Sequence, residues 1–199
     1  MRTLLTLAIA LIGAIGSPSA PAQPVDYAIS TDHTRVHWEV RHFGTSTQRG
    51  RFDNVTANIE LDRVNQRGGL SVTIATAGVD SGVGPLDGML RGDFFLASAA
   101  HPNAYFVASK LMFEAGRLKE ARGEFTLRGI SRPLTLRALQ FSCRTDAVTT
   151  QEICGGDFDA EFLRSDYGIT FGLPFVGDKV RLVIQVEAVR TLPGTATPA

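Results

Sequence analysis

From Val36 onward the chain alternates apolar and polar residues with a period of two, in short runs bounded by Gly, Asn, Asp or Pro. Val36, Trp38 and Val40 alternate with His37, Glu39 and Arg41, and Val55, Ala57, Ile59 and Leu61 with Thr56, Asn58, Glu60 and Asp62. Leu70, Val72 and Ile74 follow, then Phe125 and Leu127, then Leu134, Leu136, Leu139 and Phe141, then Phe158 and Phe162. Val180, Leu182, Ile184 and Val186 close the series opposite Arg181, Gln185 and Glu187. With the segment around Phe106, the pattern predicts at least eight strands. Each has one wet and one dry face, as antiparallel sheets do. No strand-helix-strand rhythm is present. Short gaps allow hairpins, and an all-β, eight-stranded antiparallel barrel pairs every edge. A two-sheet sandwich fits the same turn spacing.

One segment departs from this rhythm. Leu86, Leu90 and Phe94 fall at i, i+4 and i+8 with Met89 beside them, Pro85 suits a first helical turn and Asp87 its positive end. A short helix over residues 85–95 is expected, weakened by Gly88 and Gly92. The following run, Ala104 to Phe113, is apolar in both phases. It therefore needs cover on both faces, and the 85–95 helix is expected to supply it on one of them.

The N-terminus changes the picture of where the protein works. Arg2, an apolar run from Leu4 to Ile15 and a Gly/Ser/Pro/Ala stretch to Ala22 form a secretory leader too short to span a bilayer. Residues 1–22 are read as a cleaved signal peptide, residues 23–190 as one domain and residues 191–199 as a flexible tail. Cys143 and Cys154 are the two cysteines of the chain. In an oxidising compartment they are expected to pair, across a hairpin loop near Asp146 to Glu152. Charge excludes other classes: 20 basic residues against 20 acidic, without basic runs, make a poor nucleic-acid binder and supply no polybasic membrane patch.

Four stretches carry a family resemblance along nearly the whole mature chain. They are Val36-His-Trp-Glu-Val-Arg-His42 with Gly50-Arg-Phe52; Asp87-Gly-Met-Leu-Arg-Gly-Asp-Phe-Phe95 with Pro102 and Phe106; Gly123-Glu-Phe-Thr-Leu-Arg-Gly129 through Pro133; and Arg164-Ser-Asp-Tyr-Gly168 leading to Val176-Gly-Asp-Lys-Val180. In this order they resemble the YceI-like family of periplasmic polyisoprenoid-binding proteins. Met89 stands where the family usually has a histidine, and Leu96 where an acidic residue often follows the two aromatics. The cysteine pair resembles a subset of the family that has the same bridge.

The resemblance implies a lipocalin-like barrel in the periplasm, holding a polyisoprenoid lipid such as an isoprenoid quinone or a prenyl phosphate. No covalent cofactor is implied. The lining candidates are Trp38, Val40, Leu90, Phe94, Phe106, Phe125, Leu127, Phe162, Leu182 and Ile184, although any of them could equally be ordinary core. His42, Arg91 and Arg164 are family-matched candidates for the head group. Their structural alternatives are a satisfied strand-end histidine, an Arg91–Asp87 helix pair and an Arg164 bond to Asp166 or a loop carbonyl. A second reading is an accessory module beside a membrane quinone or cytochrome system, with a membrane redox protein as partner. Enzyme activity is not expected: G-x-S-x-G, HExxH and P-loop motifs are missing, and His37 and His42 project to opposite faces of an extended strand. Catalytic and metal sites are accordingly assigned to no residue.

Overall fold

The computed structural model describes residues 24–191. The signal-peptide reading of 1–22, and the tail beyond Thr191, lie outside the described residues. Eleven strands form one sheet. They are β1 (Val25–Ile29), β2 (Arg35–His42), β3 (Ser46–Phe52), β4 (Val55–Asp62), β5 (Arg67–Ala75), β6 (Val79–Asp80), β7 (Asn103–Glu114), β8 (Arg117–Leu127), β9 (Ile130–Thr145), β10 (Glu152–Leu163) and β11 (Val176–Arg190). The helix α1 spans Gly84–Arg91.

Eight of these strands close into an antiparallel barrel in the order β1-β4-β5-β7-β8-β9-β10-β11, sealed by β1 against β11. Closure depends on the length of β11. Its last residues pair with β1, as in Ala188 opposite Ile29 and Arg190 opposite Tyr27. Its first part pairs with β2, from Gln185 opposite Arg35 to Val180 opposite Val40. Two consecutive strands thus share one slot of the wall, and β2 leads on to β3 and the two-residue β6. The two-residue turns Ala115-Gly116 and Arg128-Gly129 have both φ angles positive, the geometry that matches the strand twist of a tight hairpin.

The two-phase strand has an explanation that the sequence pattern hid. Ala104, Phe106 and Ala108 of β7 are buried inside the barrel, while Tyr105 and Val107 are exposed. A bulge between Ala108 and Lys110 then reverses the phase, so Leu111 and Phe113 turn inward. Among the described residues no helix covers the outer face of Tyr105 and Val107. α1 instead packs beside β6, with Leu86, Met89 and Leu90 over one end of the barrel. The helix also stops at Arg91, four residues short of the expected 95. Gly92 caps it in an extended conformation and the chain continues in turns. A glycine at that place favours exit over a further helical turn. Another bulge, in β9 opposite Asp157 and Phe158, leaves Leu139 outside the register: Ala138 pairs with Phe158 and Gln140 with Asp157. Leu139 is therefore exposed rather than on the dry face.

The hairpin of β9 and β10 holds the disulfide. Cys143 and Cys154 are opposite each other in register and bonded, with Cα atoms 4.0 Å apart. In the connecting loop Asp146 accepts hydrogen bonds from the backbone N–H groups of Val148 (3.0 Å) and Thr149 (2.9 Å). Those donors hold its carboxyl down at about 2.

Candidate functional site

The barrel interior is not filled. A chamber of about 460 Å³ lies at the α1 end, and a narrower one of about 130 Å³ lies below it toward the disulfide end. Val36, Ile74, Phe125 and Leu182 line both, so they form a waist where the two chambers meet. Alternation builds this wall directly. Val180, Leu182, Ile184, Val186 and Ala188 of β11 point inward one after another, and Val55, Ala57, Ile59 and Leu61 of β4 do the same. The upper chamber falls within the 300–1,000 Å³ range common for small-molecule pockets.

Nine of the ten lining candidates border this space. Trp38, Val40, Leu90, Leu127 and Phe162 face the upper chamber, Phe106 and Ile184 the lower one, and Phe125 and Leu182 the waist. Phe94 does not. It is exposed, because the helix ends before it, and its ring leans on Phe171 at 5.3 Å. Phe95 takes the inward position instead.

Polar groups at the upper chamber are few: His42, Gln48 and Arg164. Arg164 is buried and spends its guanidinium on backbone carbonyls, donating from Nε to Gly177 (2.8 Å), from Nη1 to Ile169 (3.1 Å) and Phe171 (2.9 Å), and from Nη2 to Val176 (2.9 Å). Burial pulls its pKa down, while Asp178 nearby pushes the other way. Arg164 thus pins the loop 169–177 that borders the chamber, with one Nη2 hydrogen left over among the described residues. Arg91 does not reach the chamber. It donates to the Ala77 carbonyl (3.1 Å) on the surface. Its expected partner Asp87 accepts instead from the Ser81 N–H (2.7 Å) and hydroxyl (2.5 Å), which, ahead of Arg91, lower its pKa. His42 sits exposed at the rim, its ring 4.7 Å from that of Phe43.

The family-model comparison matches residues 27–188 of this chain to the YceI-like domain. The chain belongs to the YceI-like family. A UPF0312 protein of Shewanella sp. (strain MR-4) is 31% identical over 195 residues, covering 92% of this chain and 97% of that one. Another, of Pseudomonas paraeruginosa, is 27% identical over 188 residues, covering 93% and 97%. Among solved structures, a Campylobacter jejuni YceI protein superposes with a TM-score of 0.66 at 20% identity, over 94% of this chain and all of that one. A polyisoprenoid-binding domain from Saccharophagus degradans, described as implicated in plant cell wall breakdown, gives 0.56 at 12% identity, over 84% and 99%.

In this YceI-like barrel several site residues lie beyond those singled out from sequence. Phe43, Phe171 and Phe175 ring the upper opening. Phe43 is in the left-handed region (φ 49°) at the tip of the β2–β3 turn, followed by Gly44 (φ 67°). Such a turn favours Asn, and a bulky residue there costs roughly 1–2 kcal/mol. That mismatch is the signal by which sequence reasoning could have found it. Gly50 has an equally specific cause, because a Cβ there would lie 2.3 Å from Cζ2 of Trp38. Only glycine lets that indole, 8% exposed, lie flat in the wall, and its Nε1–H has no partner among the described residues. Behind the wall, Tyr167 packs edge-on to Phe125 (5.5 Å) and Phe162 (5.3 Å) and fixes their rings.

The lower end is closed. Tyr27, Leu61, Cys154 and Ala188 form a small cluster there. The Tyr27 hydroxyl donates to Glu152 Oε1 (2.5 Å), which also faces Arg63 at 3.6 Å. Burial, and then the bond to Glu152, push the Tyr27 phenol up to about 12.

Proposed function

We propose that this protein is a periplasmic carrier or sequestering protein that holds a polyisoprenoid lipid, an isoprenoid quinone or prenyl phosphate, inside the barrel. The observation that supports it most is the pair of apolar chambers meeting at the waist, read here as one tunnel, with the few polar groups gathered at the upper one. That distribution matches a molecule with a long apolar tail and a single polar head. Burying about 500 Å² of tail is worth about 12 kcal/mol at 25 cal/mol per Å². Association and ordering costs are of similar size, so a tail must extend past the waist to bind tightly. The ligand class is taken from the description of the Saccharophagus domain, and the compartment from the leader read in residues 1–22 together with the Cys143–Cys154 bond.

In this reading the head stays at the upper chamber, where the remaining Arg164 donor, Gln48 and His42 supply hydrogen bonds to an oxygen. The protein binds and releases without chemistry. The test is gentle purification after export, extraction with organic solvent and mass spectrometry. A stoichiometric prenyl lipid is expected. Protein that is empty, and that takes up no added prenol or quinone, would overturn the reading. Turnover of either by the pure protein would return it to the enzymes.

A further inference from the structure

The exposed apolar side chains are not spread evenly over the barrel. All four phenylalanines that are exposed among the described residues, Phe43 (59%), Phe94 (69%), Phe171 (50%) and Phe175 (64%), stand at the open end. They come from three separate segments: the β2–β3 turn, the stretch after α1 and the loop 169–175. They are not loose. Phe43 stacks on Phe175 at 5.8 Å, its backbone N–H bonds to the Phe175 carbonyl (2.7 Å), and Phe171 lies between Phe94 and Phe95 at 5.3 and 5.6 Å. The closed end differs. Its exposed apolar residues, Val64 and Val148, are single valines on turns.

Basic groups accompany these rings. Arg41 and Arg91 are exposed beside the rim, and their guanidinium groups are held by the carbonyls of Gly44 and Ala77 rather than by salt bridges. Half-buried Arg128 donates to the carbonyls of Asp93 (2.8 Å) and Phe95 (2.5 Å). Of the carboxylates close to these groups in the chain, Glu39 is paired with Arg49 and Arg181, Asp87 is engaged by Ser81, and Asp93 is exposed. Aromatic tips with basic groups set just behind them are the arrangement that sits at a membrane interface, rings at headgroup depth and guanidinium groups at the phosphates. A protein partner would meet two aromatic pairs beside a cavity mouth instead of a continuous face.

We infer that the open end docks on the surface of a phospholipid bilayer through Phe43, Phe94, Phe171 and Phe175, with Arg41 and Arg91 toward the lipid phosphates. Cargo then passes between bilayer and tunnel without crossing water. This builds on the lipid-carrier reading, but docking itself needs no cargo.

The test is flotation of the exported protein with vesicles of phosphatidylcholine, with and without added phosphatidylglycerol. Wild type should float, more strongly with the anionic lipid and less at high salt. Phe94 lines neither chamber, so Phe94→Asp should act on docking alone and lower partitioning by about tenfold or more. Its affinity for a short prenol added in solution, without vesicles, should not change. Val148→Asp, at the closed end, should float like wild type. In Phe94→Trp the added indole should shift to the blue on vesicle addition and be quenched by brominated lipid, while Trp38 is buried and should respond little. Docking is overturned if folded wild type stays in solution with both vesicles, or if Phe94→Asp floats as wild type does. An empty tunnel in a protein that still floats would sink the carrier reading alone.

Discussion

Leu182 shows how much one side chain decides in a hollow barrel. It stands at the waist with Val36, Ile74 and Phe125, so a larger apolar residue there should divide the tunnel while leaving its chemistry unchanged. For Leu182→Trp the expected result is a stability cost of about 1–3 kcal/mol. Affinity for long prenols should fall while short ones that end in the upper chamber still bind, as competition binding over a series of chain lengths would show. Arg164 decides differently. Its four carbonyl contacts hold the loop 169–177, so Arg164→Met should cost about 3–5 kcal/mol and raise hydrogen exchange across that loop. Lysine cannot replace the planar fork and should not rescue it. At this scale much was legible: alternation alone placed Trp38, Val40, Phe125 and Leu182 on the dry face of their strands. Phe94 was misplaced because helical spacing was extended through Gly92, where the backbone leaves the helix.

Among the elements, the β9–β10 hairpin joins covalent, electrostatic and packing constraints. Removing its bridge by Cys143→Ser with Cys154→Ser should lower stability by about 3 kcal/mol, measured by urea unfolding. The Asp146 carboxyl is held at about 2, below its ordinary 3.8. A depressed carboxyl contributes stability above its unfolded value that is lost as pH falls through the folded one. Local protection of the 146–151 loop should therefore weaken between about pH 4 and pH 2, and Asp146→Ala should abolish that pH dependence. Strand phase is where sequence reading fails at this scale. The apolar positions of β7 and β9 were all visible, but one inserted residue reverses the faces, and both phases of β7 were read as dry. A bulge is set by the partner strand's register, which a single strand does not contain.

Across the whole molecule, one open and one closed end make ligand and stability a single problem. Cargo that binds the folded barrel alone should raise its unfolding free energy by about 2.7 kcal/mol when free ligand is a hundred times Kd. Delipidated protein should melt lower than loaded protein, and adding back a prenol should restore the difference. The closed end has its own signature. The Tyr27 phenol is raised to about 12, so its contribution is complete below about 10 and lost as pH climbs through 12. Tyr167, raised to about 12 by burial, belongs to the same window. Phenolate absorbance from both should appear only near that pH, with opening of the barrel. Glu152→Gln should bring the Tyr27 step to lower pH while leaving Tyr167 unchanged.

Alternation along Val55–Leu61 and Val180–Val186, the cysteine pair and four ordered motifs were enough to establish an antiparallel barrel with a dry interior, because side-chain direction in a strand follows from position alone. Three things were settled only in three dimensions. The first is that β11 is long enough to hold β1 and β2 in one slot and so close the wall. The second is that the interior keeps two chambers meeting at a waist rather than a filled core, since cavity volume depends on how facing side chains meet across strands far apart in sequence. The third is that phenylalanines from three distant segments gather around one opening, which is a property of loop placement and leaves no periodic trace along the chain.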